Sequence, residues 1–404
     1  MSDLNKLRLE IDRLDDELLK LLNARAEVSK QIGAAKRVES AQSVQSAQGA
    51  PGDPAVVFRP EREAHVLRRL QAANAGPLPN VAVSRIYHEI MSASSALQRP
   101  IRVAYLGPAG TFSEQAVIKQ FGRSAVAVAC ANFDEVFRRT ETGETDFSVV
   151  PVENSTEGAI SRALDLLLTT PLKICSEVVV RVQQNLMRKT DGNQTEAGGH
   201  GTGGTGGICG TGGTSGTSGL ADTAGITKVY SHAQSLAQTQ GWLNRNLPGV
   251  DRVTVESNAE AARLASLDES TAAIAGLNAA ENYGLTVLAP NVEDDPTNRT
   301  RFIVAGQIDA QRSGRDRTWL VMSAPNKPGA VHALLTPFAK HGVSMTKLES
   351  RPARIASMPG SWEYLFYVDI EGHQQDTVVA RALDELKSIA PYLKIFGSFP
   401  VGDY

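Results

Sequence analysis

Along the first hundred residues the apolar positions recur at helical spacing. Leu4, Leu7, Ile11, Leu14, Leu18, Leu21, Leu22, Val28 and Ile32 form one stripe with charges on the other face, which predicts a long helix over 4–36. The stretch from Glu39 to Ala55 is polar, rich in Ala, Gln, Ser, Gly and Pro, and holds too little apolar surface to order itself, so it predicts a loop. Pro60 suits the first turn of a second helix running to about Ala73, and Pro79 introduces a third that ends near Gln98. At Ile101 the period changes. RVAYLG, FSVVPV, KICSEVVVRV, KVYSH, TAAIAG and RFIVAG are short β-rich runs, most of them followed by a helical segment, the pattern of an α/β domain. After Arg317 the order is strand 318–325, helix 329–341, strand 343–351, strand 363–371, helix 376–390 and strand 392–399. That βαββαβ order is the ferredoxin-like split of an α+β domain.

The expected organisation is therefore multidomain: an all-α helical domain over 1–100, an α/β domain over 101–306 and an α+β ferredoxin-like domain over 316–404. With 404 residues, 42% hydrophobic, 21% charged and a net charge of −3, the composition asks for neither nucleic acid nor membrane. The chain has no run of about 18 apolar residues and enters charged sequence straight after Met1, so it reads as cytoplasmic. Cys130, Cys175 and Cys209 are scattered and suggest neither a disulfide framework nor a zinc site, and no cofactor or metal is expected.

A glycine-rich insertion at about 190–225 contains a G-x-G-x-x-G match at Gly201, Gly203 and Gly206. It follows polar NQTEA in place of a strand, leads into more glycine in place of a helix, and lacks the Lys-Ser/Thr of a phosphate loop. His200 and Cys209 are too few for a metal. The segment reads as a tether without chemistry.

On the first helix, Arg25 and Lys36 are about 16 Å apart and within about 20° of one face, so both can reach one small anion. Arg8 lies about 25 Å from Arg25, too far to share that ligand within one straight helix, and would have to come from another subunit. Ser94 and Gln98 sit at i, i+4 and can face one pocket. In the α/β domain, three strand ends run into apparent helix starts: YLGPAGTFSEQA with Thr111 and Glu114 as a capping box, VVPVENSTEGAI with Ser155 as a cap, and YSHAQSLAQ with Ser231 and Gln234 repeating the box. Helix N-termini present free N–H groups and positive potential, so three of them could hold a dicarboxylate.

LRLEIDRLDDELLKLLNARAEVSKQIGAAK, followed by RPERE and EIMSAS, resembles the all-helical chorismate mutase family over nearly all of 4–98. The resemblance implies rearrangement of the chorismate dianion to prephenate by positioning and charge complementarity alone. It assigns Arg25 and a partner chain's Arg8 to the two carboxylates and Lys36 and Gln98 to the ether oxygen. Arg62, Glu63 and Ser94 complete the pocket, with Glu63 toward the substrate hydroxyl. Arg59 stands where some members carry an acidic residue.

GPxGTFS, VENS, SHxQ and above all Thr300-Arg301-Phe302 are similar to prephenate dehydratase over about 101–306. This implies two lobes around a cleft where prephenate loses carbon dioxide and water to give phenylpyruvate. Thr300 is then the hydrogen-bond donor to the leaving oxygen, and Thr111, Glu153, Asn154, Ser155, Ser231, Gln238, Arg301 and Phe302 are the lining or orienting residues.

The Pro328-Gly329 turn and Glu349-Ser350-Arg351-Pro352 resemble the ACT domain of phenylalanine-inhibited dehydratases. The resemblance places phenylalanine at an interface of paired domains, against Gly329, Ala330, Val331, His332, Glu349, Ser350, Arg351 and Pro352. Together the parts resemble the bifunctional chorismate mutase/prephenate dehydratase family, with chorismate, prephenate and phenylalanine as ligands and a homodimer or higher homo-oligomer as the assembly. The alternatives are a non-catalytic amino-acid or dicarboxylate sensor and a dehydratase acting on arogenate.

Overall fold

The first helix, α1, spans Asp3–Ser46, so Glu39 to Ser46, expected as loop, continue it. Ala, Gln and Glu are good helix formers, and extending an existing helix avoids the cost of nucleation. The structure is a computed structural model that describes residues 3–46, 57–190, 223–325, 327–352 and 364–402. The rest of the expected loop and the glycine-rich insertion from 191 to 222, with His200, Gly201, Gly203, Gly206 and Cys209, lie outside the described residues. Helix α2 (Pro60–Ala73) begins on its proline and α3 (Asn80–Ala96) follows Pro79. Among the residues of α1 whose burial is described, Ser29 and Gly33 are the buried ones, and Met91, Ser92 and Ser94 are the buried residues of α3. Leu4, Leu7, Ile11, Leu14, Leu18 and Leu21 of the N-terminal half are all exposed.

The chain forms two units, one of Met1–Gly107, Ser113–Val180 and Thr300–Tyr404, the other of Pro108–Phe112 and Arg181–Arg299. In chain order the α/β part opens with β1 (Arg102–Leu106), α4 (Phe112–Phe121), β2 (Val126–Cys130), α5 (Phe133–Glu141), β3 (Phe147–Asn154), β4 (Gly158–Ala159), α6 (Ser161–Thr169) and β5 (Lys173–Arg181). It continues with β6 (Asn185–Arg188), β7 (Lys228–His232), α7 (Ala233–Gln238), α8 (Gln240–Asn246), β8 (Asp251–Val255), α9 (Asn258–Ala265), β9 (Thr271–Ala275), α10 (Leu277–Tyr283) and β10 (Thr286–Ala289), then β11 (Arg299–Gly306). The first unit's sheet is ordered β2-β1-β3-β11-β5, with β4 paired to β3, and the second unit's sheet β10-β6-β9-β7-β8. Within the first sheet β1 is parallel to β2 and β3, whereas β11 returns antiparallel to β3. Every β-rich run read from the sequence is a strand.

The C-terminal domain follows as β12 (Asp316–Ala324), α11 (Ala330–Lys340), β13 (Met345–Pro352), β14 (Tyr364–Glu371), α12 (Thr377–Ile389) and β15 (Leu393–Pro400), with sheet order β13-β14-β12-β15. Strand alternation splits its residues between two faces. Leu320, Met322, Val368 and Ile370 pack on Leu334 and Phe338 of α11 and Leu383 and Leu386 of α12. Trp319, Val321, Leu365, Tyr367 and Phe396 share one core with Leu164 and Leu167 of α6 and Ile303 and Ala305 of β11. The C-terminal sheet is thus built into the first unit's core. Gly397 permits it, since a Cβ there would lie 2.0 Å from the Ile174 carbonyl oxygen of β5. From β15, the Lys394 ammonium donates to the carbonyls of Leu167, Leu168 and Thr170 at 2.8, 2.9 and 2.7 Å, closing the C-terminus of α6.

Candidate active sites

The helical domain concentrates its polar groups where α1 meets α3. Arg25 donates to the Ser94 hydroxyl and, at 3.4 Å, to the Ile90 carbonyl. Ser29 donates to the Ser94 carbonyl at 2.9 Å and accepts from Gln98 Nε2 at 2.9 Å. Gly33 is what lets the chain beyond α3 come this close, because a Cβ there would lie 3.0 Å from Gln98 Cβ and Cγ. Gln98 Oε1 is buried and has no hydrogen-bond partner among the described residues. Lys36 is held below the usual ammonium range, first by burial and then by the positive charges of Arg59 and Arg62. The structure therefore gathers Arg25, Ser94 and Gln98 through Ser29, and sets Lys36 beside Arg62. Arg8 stands apart, exposed and 17 residues before Arg25 on the same unbroken helix. Ser29 escaped sequence reading although its spacing of four from Arg25 puts it on the same face.

Glu63 is pushed up to about 8 by the protein packed around its carboxyl. It is therefore largely protonated at neutral pH and can donate a hydrogen bond. Below its ordinary value of 4.5 it is protonated in both folded and unfolded chains and has no effect on stability. Between that value and about 8 the folded chain keeps a proton that the unfolded chain releases, so stability falls as pH rises through this window. Glu63→Gln is expected to melt several degrees above wild type at pH 8 in thermal denaturation followed by circular dichroism, with the gap closing toward pH 4.5. A constant gap across the range would contradict this assignment.

In the first unit, Thr300 of β11 stands opposite Asn154 of β3. Asn154 Nδ2 donates to Thr300 Oγ1 at 2.9 Å. The orientation of the amide is set from its other end, where Oδ1 accepts from the Thr156 backbone N–H at 3.0 Å, the Glu157 N–H at 3.3 Å and the Thr156 hydroxyl at 2.6 Å. Thr300 thus accepts from Asn154, which leaves its own proton to donate elsewhere, and donation to its oxygen strengthens it as a donor. The expected cap at Ser155 is corrected: Ser155 lies in the turn between β3 and β4, and α6 starts only at Ser161 after Ile160. The tight turn closed by Asn154 forms in its place. Arg301 and Glu153 occupy the next rung, and both side chains engage the C-terminal sheet. Phe302 is buried in the core.

The second unit has its own polar cluster. Ser231 is fully buried near the end of β7, bonded to Asn258 Oδ1 at 3.0 Å and the Ile274 carbonyl at 2.7 Å. It is not the helix cap expected from the sequence, because β7 runs one residue further and His232 takes that place, its Nδ1 accepting from the Gln234 N–H at 3.4 Å. Gln184 Nε2 bridges Ser235 Oγ at 2.9 Å and Gln238 Oε1 at 3.4 Å. Thr111 offers its carbonyl to Asn278 Nδ2 at 2.9 Å.

Of the residues expected to hold an effector, Gly329 precedes α11 and Ala330 is buried, while His332, Ser350 and Pro352 are exposed and Val331 is half-buried. Glu349 and Arg351 alternate with Ser350 and Pro352 along β13 and are half-buried. Arg351 donates to the Ser161 carbonyl at 3.4 Å and lies 3.6 Å from Asp165 of α6. Among the described residues no cluster of His, Cys, Asp and Glu is arranged to hold a metal, and no helix is long and apolar enough to cross a membrane.

Comparison with known proteins bears on each part. The family description "Chorismate mutase type II" matches residues 7–99, "Prephenate dehydratase" 103–309 and "ACT domain" 318–388. A bifunctional chorismate mutase/prephenate dehydratase of Neisseria gonorrhoeae is 46% identical over 395 residues, covering 97% of this chain and 96% of its own. One from Stutzerimonas stutzeri is 41% identical over 399 residues, covering 99% and 98%. Among solved structures, the prephenate dehydratase of Arthrobacter aurescens in complex with L-Phe aligns with a TM-score of 0.60 at 31% identity, over 74% of this chain and 90% of that one.

Proposed function

The chain belongs to the bifunctional chorismate mutase/prephenate dehydratase family, and from that premise we propose how its residues divide the two reactions. The helical domain rearranges chorismate to prephenate, the α/β domain converts prephenate to phenylpyruvate, and the ACT domain makes the pathway's end product, phenylalanine, an inhibitor.

In the mutase site, Arg25 and Arg8 of a second copy bind the two carboxylates, and Lys36 meets the ether oxygen as its negative charge grows. Ser29 and Ser94 hold Arg25 and Gln98 in place. A half-turn of the Gln98 amide, with the Ser29 hydroxyl turned from the Ser94 carbonyl to donate to Oε1, would present Nε2 where Oε1 is now buried without a partner, the donor an ether oxygen needs. Glu63, protonated at neutral pH, donates toward the substrate hydroxyl. The second copy is supported by the exposed stripe from Leu4 to Leu21, whose side chains are each worth about 1.5–3 kcal/mol when buried. We read the protein as at least a homodimer through α1.

The observation that carries the dehydratase reading is the Asn154–Thr300 bond. As the C–COO⁻ bond breaks, its electron pair moves into the ring and expels the hydroxyl group. The Thr300 proton then bonds to the departing oxygen. A threonine hydroxyl has a pKa far above 7, so it stabilises the leaving group as a hydrogen-bond donor rather than as a full acid. Thr111, Ser231 and Gln238 are assigned to substrate contact by the family resemblance.

Incubation of the purified protein with chorismate tests the whole reading. Prephenate should accumulate and then give way to phenylpyruvate, with the second step slowed by phenylalanine. Absence of phenylpyruvate would remove the dehydratase, and supplying prephenate against arogenate identifies the preferred substrate of that step.

A further inference from the structure

We infer that Lys347 is the residue through which an occupied effector site acts on Thr300. This rests on the dehydratase and phenylalanine-inhibition reading above and adds the route of coupling to it. The starting point is a β-bulge. Glu153 opposes Arg301 and Pro151 opposes Phe302, so Val152 is an extra residue in β3. In a regular strand Val150 and Glu153, three apart, would point to opposite faces. The bulge turns Glu153 to the side that carries Val150, Ile303 and Arg301, where the C-terminal sheet packs. The Asn154–Thr300 rung is thereby separated by a single backbone step from a rung of opposite charges facing the ACT sheet.

That charged rung meets its complement. Lys347 of β13 and Asp369 of β14 are register partners. Arg301 Nη1 donates to Asp369 Oδ2 at 2.6 Å, and Lys347 Nζ lies 2.8 Å from Glu153 Oε2. One rung of the catalytic sheet is clasped by one rung of the regulatory sheet.

The two halves of the clasp differ in environment, and the difference assigns their roles. Arg301 is further held by Glu177 of β5 at 2.8 Å and stacked 5.1 Å from the Trp319 ring centroid, and Glu177 also receives Arg317 at 3.0 Å. The side chains of Arg301, Glu177 and Asp369 are 9%, 0% and 2% exposed. Breaking such a buried cluster leaves uncompensated charge, so this half is a fixed anchor. Lys347 and Glu153 are 25% and 32% exposed, a pair weak enough to exchange partners.

Lys347 already has a second partner, Glu349 Oε2 at 3.1 Å on its own strand. Glu349 is in the segment expected to receive phenylalanine, whose ammonium group would compete for the same carboxylate. A ligand that takes Glu349 releases Lys347 to Glu153 alone, and pulls on the rung beside Asn154 and Thr300. Glu349, Lys347 and Glu153 thus form a three-membered charge relay from the effector strand to the catalytic one.

The test compares wild type with Lys347→Met and Lys347→Arg, reading prephenate turnover with and without phenylalanine and phenylalanine binding by calorimetry. Lys347→Met should bind phenylalanine within about threefold of wild type and keep uninhibited kcat/KM within about threefold, yet lose at least about fivefold of the inhibition, and Lys347→Arg should restore it. Full inhibition in Lys347→Met would overturn the proposal. So would loss of phenylalanine binding, which would make Lys347 part of the ligand site, or a collapse of kcat with inhibition intact. A wild-type protein that fails to dehydrate prephenate, or does so without inhibition, would end the proposal by a separate observation, through the functional reading beneath it.

Discussion

Replacing Thr300 with alanine is expected to lower the dehydratase kcat by roughly 10²–10³-fold, the usual effect of deleting a hydrogen-bond donor aimed at developing oxyanion charge. The mutase step of the same protein should be unchanged, since Thr300 lies on β11 and the mutase residues lie on α1, α2 and the chain around α3. Thr300→Ser keeps the hydroxyl and should retain most of the rate. The effect should fall on kcat more than on KM, because the bond to the leaving oxygen strengthens only as the C–O bond breaks. Asn154 adds a second arm to the test: it donates to Thr300 Oγ1 from an amide locked by the Thr156 and Glu157 backbone. If Thr300→Ala left the dehydration of supplied prephenate intact, the role assigned to this rung would be wrong.

The difference between what was readable in the sequence and what was not follows from the range of the contacts involved. Helical faces repeat over a few residues, so the common face of Arg25 and Lys36 and the i, i+4 relation of Ser94 and Gln98 could be read directly. In the α/β part β1, β3, β5, β7, β9 and β11 were legible as β-rich runs while the shorter or more exposed β2, β4, β6, β8 and β10 were not, and the βαββαβ order of the C-terminal domain could be read from alternation and turns. What fills a strand end was not legible. Ser155 and Ser231 have the composition of helix caps, yet one lies in a turn closed by Asn154 and the other is buried in β7 against Asn258 and Ile274. The extension of α1 to Ser46 was hidden by a polarity that suggests loop, although a helix needs no apolar face to propagate a few further turns. The clasp was the least visible feature. It depends on pairing Glu153 with Arg301 and Lys347 with Asp369, and on one extra residue in β3, none of which leaves a local signature.

For the mutase, Lys36→Ala should cost roughly 10³-fold in rate, because the charge it faces exists only in the transition state and no covalent chemistry is present to compensate. Dehydration of supplied prephenate should continue at the wild-type rate. The same variant also tests the assembly. Arg8 and Lys36 lie on one helix, 28 residues and about 42 Å apart, so a single straight α1 cannot bring both to one small dianion. Arg8→Ala should therefore be inactive as well, and a mixture of the two variants, unfolded and refolded together, should recover activity. In a mixed dimer the Arg8→Ala chain keeps Lys36 and receives Arg8 from the Lys36→Ala chain, so one of its two sites is whole. Random pairing makes half of the dimers mixed, and the mixture should reach about a quarter of wild-type activity. No recovery from a mixture shown to be dimeric would place both cations' functions within one chain, and the exposed leucine stripe of α1 would then need a different occupant.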